Sequence, residues 1–586
     1  MAKKKSVRAD EDFLHDLKDK YTTSVDQWKH IYAAAEDDLR FVYDVGAGQW
    51  PSDIRDKREK AGRPIITTNK ILKFVRQLRG DQMMNRPRIK VIPVDNKSDP
   101  GMAELYNGLI RQVEYLSSAE TVYDTAYMAA VSCSIGFFRL ATQYVSDQSF
   151  DQEIRIKRIL NPLSVHFDPM AVEFTLSDAR YCFIEEMVDK KLFEKLYPDA
   201  DVSGFSGDPS LIGDWDTGDN IRVAEYFWKE PVQKKIVRLA TGETIGLGGQ
   251  VTIEYIKSKG GEIVKERTIN THKVMWCKTN GFEILEKEKE WVGSNIPIIP
   301  VLGDEIVCGG TKHYLSLARG AKGPQQMYNY WATAATENVA LTPKNPYFVD
   351  HRQIKGFEAE WDEAHLENKM YIRYNSIPGL DKPHREPQAQ VPAAIISMMQ
   401  STAYDIEDHL GRYESSKGEA GNERSGKAII ARIAQSDKGT YTFVDNLSRA
   451  IVYAGRQIIE MIPKIYDTQR AVSIMGEDGQ QKIVDVNVPS GFLPNGEVAI
   501  EKDLTVGNYD LIATAGASYS SKRQEMTAMM IESLQYAPQL SSVIAPLIFK
   551  YSDYPGSEEI YTEIKKQMEQ AQAQMQGQPK PQGQPA

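Results

Sequence analysis

A mixed α+β fold, mainly helical, is predicted from three observations. Long stretches near the N-terminus and between about 391 and 465 repeat apolar residues three and four apart, which is the helical period. Between 221 and 278 that period gives way to short strand-like runs separated by glycine-rich turns. The chain has 586 residues, 41% of them hydrophobic, which is enough for several structural modules.

In order along the chain, Ser24-Val25-Asp26-Gln27 reads as a capping box opening a helix with Trp28, Ile31, Tyr32, Ala35, Leu39 and Val42 on one face. Gly46, Gly48 and Pro51 close it. A second helix is expected from near Asn69, burying Ile71, Phe74, Val75 and Leu78. It stops at Asn85-Arg86-Pro87, because a proline disfavours helical backbone in the residue before it. A third runs from about Met102 to Met128. The segment 136–160, where Ile154 and Ile156 alternate with polar residues, reads as a hairpin.

The strand-like runs that follow are Val223–Trp228, Lys235–Leu239, Val251–Ile256 and Lys273–Cys277. Together they suggest a compact β module inserted between helical regions. Helix returns at about 312–341, with a kink expected at Pro324. Strands are expected near Tyr347–Val349 and Met370–Arg373. Two long helices, about 391–412 and 426–465, flank the polar loop Ser415 to Ser425. A last helix carries Ile560, Ile564 and Met568. The tail Gln576 to Ala586, rich in Gln, Pro and Gly, has nothing to bury and is expected to be disordered.

Composition excludes several function classes. Cys133, Cys182, Cys277 and Cys308 form neither a CxxC pair nor a Cys/His cluster, so neither a disulfide framework nor a structural zinc is expected, and a reducing cytoplasm fits. No apolar leader and no run of about 18 apolar residues is present, so no membrane span is expected. The net charge of -10 argues against a tight nucleic-acid reader, since phosphate contacts drive such affinity. It is compatible with a conduit through which DNA slides without sticking.

Chemistry-bearing motifs were weighed against plainer readings. Gly421-x-x-x-x-Gly426-Lys427-Ala428 approaches a phosphate-binding loop. Ala428, however, lacks the hydroxyl that holds magnesium, and the segment follows a helix rather than a buried strand. A flexible inter-helix loop is the better reading. Asp214 to Asp219 lacks the ligand order of a calcium loop and reads as an acidic turn. Glu358, Glu360, Asp362, Glu363 and His365 fit no metal-ligand spacing and read as a charged connection. No catalytic, cofactor-binding or metal-ligating set is assigned. Trp28, Trp50 and Trp361 read as core or subunit-interface aromatics.

An ordered series of residues resembles the portal (head-to-tail connector) proteins of short-tailed bacteriophages. It begins with Trp28, Asp37, Phe41 and Gly48-Gln49-Trp50, then Arg63-Pro64, Asn69, Asn85-Arg86-Pro87 and Pro93. It continues through Asp168-Pro169, Ser177-Asp178-Ala179, Gln325-x-x-Tyr328-Asn329, Ser425 to Ile429 and Asp445-Asn446. Gly455, Ile462-Pro463, Ile465 to Asp467, Arg470, Ser520 and Arg523-Gln524-Glu525 complete it.

The resemblance implies a non-enzymatic portal fold of wing, stem, clip and crown, assembled as a twelve-subunit ring at one capsid vertex. Double-stranded DNA would pass through it, driven by a separate terminase motor. The implied divisions are 1–200 for an N-terminal wing with the start of the stem, 201–309 for a β-rich clip, and 310–342 for a stem helix. A wing core at 343–535 would carry a tunnel loop at about 414–425, followed by a short crown at 536–575 and a disordered tail at 576–586. Leu192–Tyr197 is the candidate for the first stem helix.

Lys417, Arg424 and Lys427 would face the DNA. Tyr226, Trp228, Tyr255 and Trp276 would anchor the clip's partners, and Trp28 and Trp50 would serve the wing or its interfaces. The implied partners are further copies of the chain, the large terminase subunit, a tail adaptor, scaffolding and major capsid proteins, and DNA without sequence preference. The protein would reside in the virion, and in the host cytoplasm during assembly. Twelve copies at -10 would give roughly -120 per ring, a wall that repels phosphate. Two rival readings are a DNA-packaging ATPase and another capsid or scaffold protein.

Overall fold

The computed structural model describes the chain except residues 1, 45–47, 85, 95–98, 201–214, 216–218, 241–243, 248–252, 254–255, 257–261, 342–346, 365–369, 386–391, 411–440, 477–480, 493–497, 516–528, 535–540, 552–559, 561–562, 565 and 567–586. It opens with helices α1 (Ala2–Tyr43), α2 (Ser52–Lys60) and α3 (Ile71–Met84), strand β1 (Pro87–Pro93), and helices α4 (Pro100–Leu116) and α5 (Ala119–Cys133). A hairpin follows, β2 (Ile135–Tyr144) with β3 (Gln152–Arg158), then β4 (Val165–Phe167), β5 (Tyr181–Asp189) and α6 (Lys190–Leu196). Next come β6 (Asn220–Leu239), β7 (Thr244–Leu247), β8 (Ile263–Thr279), β9 (Ile284–Glu290), β10 (Ile298–Leu302), β11 (Asp304–Cys308) and β12 (Thr311–Leu315). Beyond them lie α7 (Lys322–Leu341), β13 (Tyr347–Phe348), β14 (His384–Arg385), α8 (Ala393–His409), α9 (Tyr441–Ile465), five strands β15 to β19 between Arg470 and Ala515, and α10 (Ser541–Tyr551).

The largest core packs α3, α4, α5 and α9 around the β1–β19 pair and the sheet β10-β2-β3. Helix α5 runs directly into β2, and a Cβ on Gly136 would stand 2.0 Å from the Ala126 carbonyl oxygen, so only glycine permits that approach. A second core lies under α1 and β4, and a third between the N-terminal part of α1 and the sheet β4-β5-β6-β8-β9.

Several boundaries differ from the sequence expectation. Helix α1 does not open at Ser24. Leu17, Tyr21, Ser24, Trp28, Ile31, Ala35, Asp38 and Val42 are all buried at alternating spacings of four and three, one continuous seam. Ser24 lies within that seam and donates its hydroxyl to the Phe167 carbonyl at 2.7 Å. The expected single helix 102–128 is two helices, α4 and α5, broken at Ser118, whose φ is 48°.

The runs Val223–Trp228 and Lys235–Leu239 belong to one 20-residue strand, β6. Pro231 is tolerated inside it because, among the described residues, the edge facing away from β8 has no paired strand between Trp228 and Lys235. Val251–Ile256 falls almost wholly outside the described residues. The helix expected at 312–341 begins at Lys322, after a strand and the 3-10 turn Arg319–Ala321, so Pro324 sits in its first turn and makes no kink. Met370–Arg373 is extended without strand pairing, and Tyr347–Phe348 pairs with His384–Arg385 instead. Among the described residues no helix is long and apolar enough to cross a membrane. All four thiols are free.

Candidate functional site

Helix α7 is the element that most of the sequence motifs converge on. Gln325, Asn329 and Thr333 lie four residues apart, so they share one face, and none is more than 1% exposed. They meet the extended segment 64–70 as a ladder of backbone-like groups. The Lys70 amide donates to Gln325 Oε1 at 2.9 Å, the Thr68 amide to Asn329 Oδ1 at 3.0 Å and the Ile66 amide to Thr333 Oγ1 at 3.1 Å. Gln325 Nε2 returns a bond to the Thr68 carbonyl at 2.8 Å. Glu337, one more turn along, takes Arg58 at 2.6 Å and Arg63 at 3.5 Å.

The ladder satisfies the alternate amides of a strand-like segment that has no strand beside it. Behind it, Asn329 Nδ2 donates to Gln49 Oε1 at 2.9 Å, and Gln49 Nε2 donates to the Phe41 carbonyl at 3.0 Å. Trp50 Nε1 donates to Thr67 Oγ1 at 3.1 Å, and Asn69 joins the Val42 carbonyl to the start of α3 through the Leu72 amide.

The opening of α7 is fixed by charge. Asp38 of α1 is fully buried and accepts from Arg319 at 2.6 Å, Lys322 at 2.6 Å and Ser316 at 2.7 Å. Lys322 also reaches Asp37 and lies over the Phe41 ring. Three donors around one carboxylate offset the cost of removing it from water. Helix α7 is therefore bound along its length to α1 and to residues 49–70. Met327 and Tyr330 are each 48% exposed, and α8 packs against the helix. Of α8 itself only Thr402 and Ile406 are buried, while Ile396, Met398 and Tyr404 stand out.

A second joint ties α1 to the six-stranded sheet. Tyr21 donates to Glu185 at 2.6 Å, Arg222 pairs with the same carboxylate at 3.2 Å, and His166 lies 3.1 Å from it. Burial opposes ionisation of Glu185, but these three neighbours prevail and hold its pKa below the usual carboxylate value.

The aromatics expected to anchor clip partners are placed differently from that expectation. Tyr226 is 1% exposed, stacked at 4.5 Å on Phe183 and 4.8 Å on Trp228, with Phe13 of α1 5.3 Å from Trp228. Trp276 donates to Glu225 at 2.9 Å, the carboxylate that Arg139 also grips at 2.8 Å. Burial works against the Glu225 charge, yet Arg139 and Trp276 hold its pKa low. Tyr226 therefore fills the chain's own core, and Trp228 and Trp276 pack partly into it. The strand alternation that turns 226 and 228 toward one face turns them toward α1.

Trp28, stacked with Tyr32 and Tyr314, and Trp50 are likewise buried within one chain. Tyr255, Lys417, Arg424 and Lys427 lie outside the described residues, as does the whole Gly421–Ala428 motif. No metal-binding group of His, Cys, Asp or Glu occurs among the described residues. The polar ladder on α7 was not anticipated. Its signal was present as polar residues at 325, 329, 333 and 337, a stripe at four-residue spacing along the helix.

Two comparisons with known proteins bear on this chain. A family profile described as phage P22-like portal protein matches residues 18–586. A portal protein of Acyrthosiphon pisum secondary endosymbiont phage 1 is 24% identical over 554 residues, covering 89% of this chain and 76% of that protein.

Proposed function

The chain belongs to the P22-like portal family of bacteriophages, so it is a structural component of the phage virion, and from that premise we propose how its parts serve the portal. Copies of the chain close into a ring of about twelve, set at one vertex of the capsid. Double-stranded DNA enters through the ring during packaging and leaves through it at ejection. Residues 310–342 form the stem, 201–309 the clip, and 1–200 with 343–535 the wing. The connection between α8 and α9, with Lys417, Arg424 and Lys427, approaches the DNA. Residues 536–575 form a short crown. The clip docks the large terminase subunit and later the tail adaptor, while scaffolding and major capsid proteins surround the wing.

One observation carries this reading. Helix α8 is 17 residues long and mainly apolar, yet a single chain buries two of its positions, while Met327 and Tyr330 of α7, the helix it packs against, are also exposed. Such a surface calls for a neighbour, and repeated head-to-tail contacts that close make a ring. The polar ladder fits the same reading, because a helix that bears load between subunits must not slide on its own body.

The test is direct. Purified protein at micromolar concentration should give rings of one size by negative stain and a matching mass. A stable monomer would overturn the proposal. Removing 234–269 should preserve rings, because Gln233 and Asn270 are cross-strand partners and a short turn can join them. The shortened rings should lose binding to the terminase motor and the tail adaptor. Retention of both would place the docking surface elsewhere.

A further inference from the structure

The outer half of the β6–β8 hairpin carries an arrangement that the portal reading alone does not supply. Directly paired residues of antiparallel strands share a face. The register pairs Val232 with Thr271, Lys234 with Ile269, Ile236 with Arg267 and Arg238 with Lys265. One face of the ribbon thus holds Lys234, Arg238, Lys265 and Arg267, with no carboxylate among them. Of the acids nearby, Glu230, further in on the same face, is taken by Lys273 at 3.0 Å, and Glu266 is on the opposite face, where it pairs with Lys235 at 3.8 Å.

All four cations are exposed, and none is paired with a carboxylate among the described residues. Ile236 between them is half-buried, whereas on the opposite face Val237 is fully buried and Gln233, Lys235, Glu266, Thr268 and Asn270 are exposed. Like charges directly opposite, as at Arg238 and Lys265, destabilise a sheet. On a chain whose net charge is -10, four of them together on an open face are not a reflection of average composition.

The geometry points to this face as a contact for the phosphate backbone of double-stranded DNA, made without sequence preference. The inference rests on the portal reading for the presence of DNA and assigns it a place on the clip. Two features favour a phosphate backbone over a protein partner. The face has no aromatic anchor, and two of its four cations are lysines, a residue that protein interfaces deplete. The four charges also lie within about 13 Å of strand, since residues rise about 3.3 Å each. B-DNA presents one negative charge per about 1.7 Å of axis, dense enough to engage several at once. Because the contacts are exposed and screened, they would guide the duplex at the mouth of an otherwise acidic ring without holding it.

The assay is fluorescence anisotropy of a labelled 30-base-pair duplex with the full-length protein across a salt series. The variant is K234Q/R238Q/K265Q/R267Q, with K235Q on the opposite face as control. Wild type and K235Q should bind at low salt. The fourfold variant should bind at least tenfold more weakly, with a log–log salt slope shallower by about 3.6, since each of four lost phosphate contacts removes about 0.9. K234Q/K265Q should lose about half as much of the slope, about 1.8, and it reports on the face even if the fourfold variant misfolds.

Unchanged affinity and slope in the fourfold variant would overturn the inference. So would unchanged duplex binding together with lost binding to the terminase motor or to neighbouring subunits, which would mark an acidic protein surface as the occupant. Failure of the wild-type chain to form rings would sink the portal architecture instead, and duplex binding by this face would be read independently of it.

Discussion

Asn329→Ala is the sharpest probe of how α7 is held. The amide side chain accepts from the Thr68 backbone at 3.0 Å and from Gln325 at 3.1 Å, and donates to Gln49 at 2.9 Å. Alanine orphans the Thr68 amide and Gln49 Oε1, while Gln325 Nε2 loses one of two bonds and keeps the Thr68 carbonyl. Gln325 is fully buried and Gln49 is 1% exposed, so water reaches neither without a rearrangement. An orphaned buried polar group costs about 1–3 kcal/mol, so the two orphaned groups with the weakened Gln325 contact should together cost about 3–5 kcal/mol.

The loss should be local, because the ladder is the only hydrogen-bonded support described for the 66–70 amides outside α3. Hydrogen exchange reads it directly: the Ile66, Thr68 and Lys70 amides should be protected in the wild type. In the variant they should exchange about 100-fold faster or more, since each 1.4 kcal/mol is tenfold. Thr336→Ala, which removes only a bond to the Ala332 carbonyl on the exposed side of the same helix, should change exchange little. Equal protection of the three amides in Asn329→Ala and wild type would refute the ladder as the element that holds α7.

Two further substitutions test the electrostatic joints. Asp38→Asn should cost about 2–4 kcal/mol in chemical denaturation, because Arg319 and Lys322 lose a buried charge partner. Asp37→Asn, at an aspartate 70% exposed, should cost under about 1 kcal/mol. Glu114 is partly buried, and Tyr123 donates to it at 3.1 Å; burial pushes its carboxyl up to about 7 from 4.5. A raised carboxyl pKa means the folded state holds the proton longer than the unfolded one. Stability is therefore full at low pH and falls as pH rises from about 4.5 through about 7. Glu114→Gln should flatten that fall and gain about 1–3 kcal/mol at pH 8, and a melting profile between pH 5 and 8 with the wild-type slope would rule the assignment out.

The sequence by itself determined the elements whose signal is local. The 3.6-residue period set α3 and α9, the alternation at Ile154 and Ile156 set the β2–β3 hairpin, and proline at 87 ended α3. It also determined the family, because the ordered series of Gly, Pro, Asn and Gln residues survives in text even where no single motif carries chemistry. Only tertiary structure decided what that series does. Gln325, Asn329 and Glu337 are far in sequence from Gln49, Arg63 and Lys70, and they meet only because α7 lies against residues 49–70.

The same limit explains the misread positions. Ser24 has the residue type of a helix cap, but a carbonyl from β4 satisfies its hydroxyl inside α1. Tyr226 looks like an interface anchor, but α1 covers that face of the sheet. Pro231 looks like a strand break, but an unpaired edge removes the penalty. In the first two cases a partner remote in sequence supplies the hydrogen bond or the burial, and in the third the position of the strand in the sheet removes the need for one. Period and residue type report only what a residue needs, whereas the packed chain fixes which neighbour provides it.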